Sequence, residues 1–182
     1  MQYVFENLNN ETRAIMLEEI ELDLREDKFF ELRSMNPYGI DKYPKILKAC
    51  VQNSNAETLA QLLPRSFFLA TNSAGRKTMN NINEVVAYND FNKYYTRAIL
   101  RKAINNPGMD IQIYRARLSE QRRPESERLV GTTYSDKPFM QKMLNLFREA
   151  EILYTHTNPY GLLKPNSGLS IRLKPKGGDL NG

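Results

Sequence analysis

Asn89–Arg128 reads NDFNKYYTRAILRKAINNPGMDIQIYRARLSEQRRPESER, and it decides the fold because a helix pattern runs through a Pro-Gly stop into a strand pattern. Phe91, Tyr95, Ala98 and Lys102 recur along one stripe, widened by Tyr94, Ile99 and Ala103. This spacing predicts an amphipathic helix over Phe91–Asn105, with Asp90 as its N-cap. Asn105-Asn106-Pro107-Gly108 ends it. Ile111–Leu118 then alternates as a strand does, with Ile111, Ile113, Arg115 and Arg117 on one face and Gln112, Tyr114, Ala116 and Leu118 on the other. Lys93, Arg97 and Arg101 form an i, i+4, i+8 row on a separate helix face, expected as a cationic edge about 12 Å long. Arg122, Arg123 and Arg128 follow among Glu120, Glu125 and Glu127, so arginines collect at the far end of the strand.

Toward the N-terminus the pattern is helical. Asn10-Glu11 can cap a segment to about Asp27, with Met16, Ile20 and Leu24 on an i, i+4 row and Leu17 beside it. Glu18, Glu19, Glu21 and Asp23 lie mostly off that row and are expected on a solvated side. Phe29, Phe30 and Leu32 add apolar material before Asn36-Pro37-Tyr38-Gly39, which reads as a turn. A second helix fits Pro44–Gln52, its face made by Ile46, Leu47, Cys50 and Val51, and a third fits Ala56–Leu63 behind a Ser54 or Asn55 cap. Ser66–Ala70 suggests a strand and Thr71–Asn83 a loop.

Toward the C-terminus, Ser135-Asp136-Lys137-Pro138 opens a helix whose Met140, Met143, Leu144, Phe147, Ala150 and Leu153 repeat at core spacing through Phe139–Tyr154. Asn158-Pro159-Tyr160-Gly161 turns the chain, and Gly168–Leu173 makes a short strand before a Lys/Gly-rich tail. The expected fold class is α+β: one predominantly helical domain over residues 1–182, with a small β-sheet built from Ile111–Leu118, Gly168–Leu173 and Ser66–Ala70.

Composition sets limits on function. Apolar residues make up 41% and charged residues 26% of 182, and no apolar run approaches the ~18–20 residues that span a bilayer, so no membrane partner is expected. The first residues lack a basic stretch followed by an apolar one, which implies synthesis without a cleaved signal. Cys50 is the sole cysteine and His156 the sole histidine, so an internal disulfide and the usual structural zinc sets are excluded within one chain. Cys50 is expected as a small core residue.

Net charge is +5, unevenly spread. An acidic helical part, Met1–Leu63, carries seven Lys/Arg against eleven Asp/Glu; a basic α+β part, Pro64–Gly182, carries nineteen against ten. Three readings fit: a phosphate-binding C-terminal surface, assembly between the unlike parts of neighbouring copies, or two signs that meet inside one fold.

Motifs for chemistry are missing. Gly75-Arg76-Lys77-Thr78 superficially matches the end of a phosphate-binding loop, but position 70 is Ala and an arginine separates Gly75 from Lys77, so backbone N–H groups could not cradle phosphates in the required way. It is expected as an exposed basic loop. His156 sits between two threonines with no glycine-elbow serine in the chain, and Glu18/Glu21 are spaced as ordinary surface acids. Arg115 followed by Glu125 and Glu127 would suit ADP-ribosyl transfer only with further strand-borne Ser/Thr and Glu features. Tyr94 and Tyr95 beside Lys93, Arg97 and Arg101 could combine base stacking with phosphate contacts, but no known nucleic-acid-binding signature accompanies them. No catalytic, cofactor or metal residue is assigned, and the chain is expected to be non-enzymatic.

Phe91–Ala98, Tyr114–Arg117, Arg123–Glu127 and Pro165–Leu173 together resemble uncharacterised proteins of tailed bacteriophages and prophages, across the C-terminal half. The resemblance implies a virion protein made in the host cytoplasm and transfers no catalytic residue. The expected partners are phage capsid or other virion proteins, further copies of the chain, or, as the rival reading, nucleic acid. Lys93, Arg97, Arg101, Arg115, Arg117, Arg122, Arg123 and Arg128 are the expected partner-binding residues. Inhibition of a host defence protein is a third reading, since an inhibitor needs no motif.

Overall fold

In a computed structural model the described residues are 3–28, 34–71, 75–117, 124–149, 162 and 167–177. The order is α1 Asn10–Arg25, α2 Pro37–Asn53, α3 Ala56–Gln61, a 3₁₀ turn Arg65–Phe67, α4 Ile82–Asn105, β1 Met109–Arg115, α5 Pro124–Glu127, β2 Thr133–Tyr134, α6 Lys137–Arg148 and β3 Leu169–Pro175. The fold class is α+β, predominantly helical, with a small antiparallel sheet of order β2-β1-β3. No described helix is long and apolar enough to cross a membrane.

Helix α4 is the axis. Ten consecutive residues, Phe91 to Leu100, are buried because α1, α3, α6 and the sheet pack around it on different sides. A helix so enclosed must place polar side chains inside, and those need partners there. Behind it, Asn106, Pro107 and Gly108 turn the chain, with the Asn106 side chain accepting the Gly108 N–H at 2.9 Å, so β1 lies back along the bundle. Ile111 pairs with Leu173 and Ile113 with Ile171, which puts the apolar face of the sheet on the helices.

The N-terminal segment is a strap that no periodicity announced. Val4 donates its N–H to Ala116 O at 2.8 Å, Tyr3 stacks on Tyr88 at 5.0 Å, and Phe5 packs against Phe91 and Tyr95 at 5.3 and 4.7 Å. Tyr114 Oη donates to Val4 O at 2.7 Å, closing the strap over the end of β1.

Several expectations change. Asn9 rather than Asn10 caps α1, accepting the Thr12 N–H at 2.9 Å, and α1 ends at Arg25. Strand β1 runs Met109–Arg115 rather than from Ile111, so Arg117 lies past its end. Asn36-Pro37-Tyr38-Gly39 is the start of α2 rather than a turn. Asn36 caps it by accepting the Gly39 N–H at 2.9 Å and Pro37 fills the first turn, so the same residues that favour turns also favour a helix N-terminus. Pro44 then falls inside α2. Helix α4 begins at Ile82, so Asp90 is an interior residue and not a cap; Tyr43 Oη donates to it at 2.7 Å and takes up the oxygen that would otherwise compete with the helix. Ser66–Ala70 forms the 3₁₀ turn and one bridge, Phe68 to Met35, and the sheet's third strand comes from Thr133–Tyr134. Helix α6 closes at Arg148, with Glu149 extended. The expectations for Phe29, Phe30, Leu32, Leu118, Ala150, Leu153, His156 and Asn158–Gly161 lie outside the described residues.

Buried phenols tie the fold to pH. Burial pushes the Tyr114 hydroxyl up to about 12 and raises Tyr95 further; Tyr94 is raised well above 10.0 by burial and then by Asp23. In the unfolded chain phenols ionise near pH ~10. Stability is therefore full below pH 10 and declines as pH rises toward 12, by about 3 kcal/mol for Tyr114 alone. Lys93 acts in the opposite sense: burial lowers its pKa, so losing its proton relieves a cost already present at neutral pH. The expected net result is cooperative base unfolding, followed by helical circular dichroism together with tyrosinate absorbance. Complete tyrosinate formation while the helical signal persists would refute the buried-phenol account.

Candidate functional site

The charged residues singled out by the sequence fall into two places, one internal and one at the edge of the sheet. On α1, Met16, Glu19, Ile20 and Asp23 share the buried face, so two carboxylates enter the core with the apolar residues. On α4, Lys93 and Arg97 meet them with side chains only 2% and 1% exposed. Arg97 Nη1 contacts both oxygens of Asp23 at 2.8 Å and its Nε donates to Phe147 O at 2.8 Å. Tyr94 Oη donates to Asp23 at 3.0 Å.

One turn along, Glu19 gathers two further cations. Arg148 from α6 donates to it at 2.9 and 2.5 Å, and Arg101 Nη1 lies at 3.2 Å while its Nη2 reaches Glu18 at 2.7 Å. The hydrogen bond to Glu19 raises the Arg148 pKa, keeping the guanidinium charged against the burial that opposes it. At the other end of the network Lys93 Nζ lies 3.6 Å from Asp90 and 4.3 Å from the centre of the Tyr94 ring. In chemical terms this is a cross-brace between α1, α2, α4 and α6: every charge has an opposite charge and hydrogen bonds that satisfy it.

The expected cationic edge is thereby corrected. Lys93 and Arg97 face the core because α1 and α6 cover the helix face they occupy, and Arg101 is partly exposed but engaged by Glu18 and Glu19. The acids expected on the solvated side of α1 are corrected in the same stroke, since Glu19 and Asp23 are buried. Other pairs join the unlike halves: Glu11 with Lys102 at 2.6 Å and Glu6 with Arg172 at 2.9 Å. Of the three readings of the charge split, the geometry favours the one in which the two signs meet inside one fold.

The second place is the end of β1. Arg115 donates to Ser167 O at 3.1 Å and pairs with Glu127 of α5, and its Nε has no hydrogen-bond partner among the described residues. Gly168, at φ +66, lets the backbone pass here, because a Cβ would stand 3.0 Å from Arg117 O. The Arg117 guanidinium lies over the Tyr3 and Tyr88 rings at 5.9 and 5.7 Å. Arg128 is exposed in the turn after α5, two residues before Val130, which is also exposed. Arg122 and Arg123 lie outside the described residues.

No family model, curated protein or solved structure matches the chain. What the fold brings together is thus the available guide. Among the described residues no three His, Cys, Asp or Glu side chains are grouped to hold a metal ion. Cys50 is buried, and burial raises its pKa away from the reactive thiolate. Of Gly75-Arg76-Lys77-Thr78, expected as an exposed basic loop, Gly75, Arg76 and Lys77 are exposed and Thr78 is buried, its N–H donated to Ala70 O at 2.9 Å.

The network contains residues that sequence reasoning missed: Glu19, Asp23 and Asp90 as internal partners, with Tyr43 and Arg148. One signal was available. Glu19 and Asp23 follow Met16 at three and seven residues, the spacing of a core stripe, so acids were already standing at core positions.

Proposed function

We propose that the chain is a non-enzymatic protein of a tailed-bacteriophage particle, a minor or auxiliary component of the capsid or head that works through protein contacts. The observation that carries this reading is the edge beyond β1, where exposed Arg128 and Val130 stand beside the Arg115–Glu127 pair. Arginine is enriched at protein interfaces, and exposed Val130 adds apolar area beside it. The phage-like segments lend support: Phe91–Ala98 lies on α4, Tyr114–Arg117 at the end of β1, and the described parts of Arg123–Glu127 and Pro165–Leu173 include α5 and the start of β3, the elements around this edge. The nucleic-acid reading rested on Lys93, Arg97 and Arg101, whose charges are taken up by Asp90, Asp23, Glu18 and Glu19.

Size-exclusion chromatography with light scattering tests the proposal, using the purified chain alone and with the capsid protein of the same phage at low salt. Self-association or co-elution is expected, and Arg128→Glu with Val130→Asp is expected to weaken it at least about tenfold. A monomer that ignores the capsid protein would overturn the proposal.

A further inference from the structure

A second surface, at the opposite end of the charge logic, is basic and apolar without internal acids. From Thr58 to Asn83 the sequence has no Asp or Glu, yet it carries Arg65, Arg76 and Lys77. The fold gathers the described parts of this stretch, residues 58–71 and 75–83, against the start of α2. Leu69 donates its N–H to Ser34 O at 2.7 Å, Thr78 to Ala70 O at 2.9 Å, and Asn83 Nδ2 donates to Ala60 O at 3.0 Å. A Cβ on Gly39 would stand 2.5 Å from Phe67 O, so α2 is pressed directly on the 3₁₀ turn. These contacts hold the end as one braced unit.

Large apolar side chains are left outside it. Tyr38 is 60% exposed, Met79 50%, Leu62 49% and Leu69 40%, four of the six large apolar residues most exposed among those described. Single exposed apolar residues are ordinary, but several gathered beside cations mark a contact surface. Arg65, Arg76 and Lys77 are exposed in the same segments, with Asp41 and Glu84 at its border.

We propose that this end of the helical layer docks an acidic, amphipathic segment of another protein. Its apolar side chains would seat among Tyr38, Leu62, Leu69 and Met79, and its carboxylates would face Arg65 and Lys77. Charge complementarity selects the acidic partner. The four apolar side chains select protein over a phosphate backbone, which would leave them against charge. A second copy fits poorly, because the α1 acids Glu11, Glu18, Glu19 and Asp23 are already engaged within their own fold. Exposed Asp41 and Glu84 at the border of the patch would oppose a broad anionic bilayer.

The inference stands apart from the virion reading, because the probe contains no virion component. Fluorescence anisotropy with the full chain would use a labelled Leu/Glu amphipathic helical peptide, its Ser-for-Leu version and its Lys-for-Glu version. The Leu/Glu peptide is expected to bind, and the other two at least about tenfold more weakly. Leu69→Asp with Met79→Asp is expected to cost a similar factor at any salt concentration, while Arg65→Glu with Lys77→Glu costs most at low salt. Circular dichroism melts confirm that each exposed-site variant keeps the fold. The proposal is overturned if no peptide binds, if the Ser version binds equally, or if the variants bind like the parent. Tighter binding to duplex DNA or to phosphatidylserine vesicles, lost in the same variants, would overturn it in favour of those surfaces.

Discussion

Asp23→Ala is expected to lower the unfolding free energy by about 3–5 kcal/mol, the scale of removing one member of a buried ion pair. Arg97 would keep its donor bond to Phe147 O but lose the carboxylate that faces Nη1 at 2.8 Å. Tyr94 would lose its acceptor as well. The cost comes from leaving a buried guanidinium without its hydrogen-bonded carboxylate, with only Glu19 opposite it at 4.0 Å, since forming such a pair from water gains little net energy. Asp23→Leu combined with Arg97→Met should therefore be much less damaging than Asp23→Ala, because both charges leave together. Urea unfolding of the three proteins checks this, and an Asp23→Ala cost below ~1 kcal/mol would mean that the network is hydrated in solution.

Tyr95→Ala is expected to cost about 3–5 kcal/mol, as truncation of a large buried ring does. Its ring is buried under Phe5, and its hydroxyl accepts the Asn7 N–H at 3.2 Å, so the substitution empties the core and releases the strap together. Tyr95→Phe separates these effects. It keeps the ring and removes the hydroxyl's hydrogen bonds with Asn7 N–H and Tyr114, for about 1–2 kcal/mol. Hydrogen exchange at Val4 and Asn7 should speed up in both variants, but far more in Tyr95→Ala. Equal costs for the two would refute the packing account.

The presence of the helices was legible from their apolar periods, but a capping residue marked the start only in some of them: Asp90 matched a cap by spacing and lies inside a helix that begins at Ile82. Ser135-Asp136-Lys137-Pro138 marked the entry of α6, where Asp136 is the cap, and of Ser54 and Asn55, either of which could cap α3, Asn55 does so, because each cap satisfies an N–H locally and needs no tertiary partner. Legibility failed where one local signal serves two structures. Asn-Pro-x-Gly suits a turn and a helix start equally, and what chose the helix was the contact of α2 with Phe67. Ser66–Ala70 has the composition of a strand, but only Phe68 finds a bridge partner, since a strand needs a neighbour that its own sequence cannot supply. The strap at Tyr3–Asn7 was invisible for the same reason.

The candidate site was legible as chemistry and not as place. Arg115, Arg117 and Arg128 were expected at the end of a strand, and they lie in or beyond β1. Lys93 and Arg97 were expected on an outer face, and α1 and α6 cover that face.

By itself, then, the sequence determined the α+β class, the central helix running through a Pro-Gly stop into a strand, and the excess of acids early and bases late. These follow from local periodicity and composition. The tertiary structure alone decided which of those charges remain outside. A helix has sides that its own residues can mark as polar or apolar, but whether a polar side meets water depends on what packs there. Here α1 brings Glu19 and Asp23 to Arg97, so opposite charges that look like two surfaces along the chain close into one internal brace.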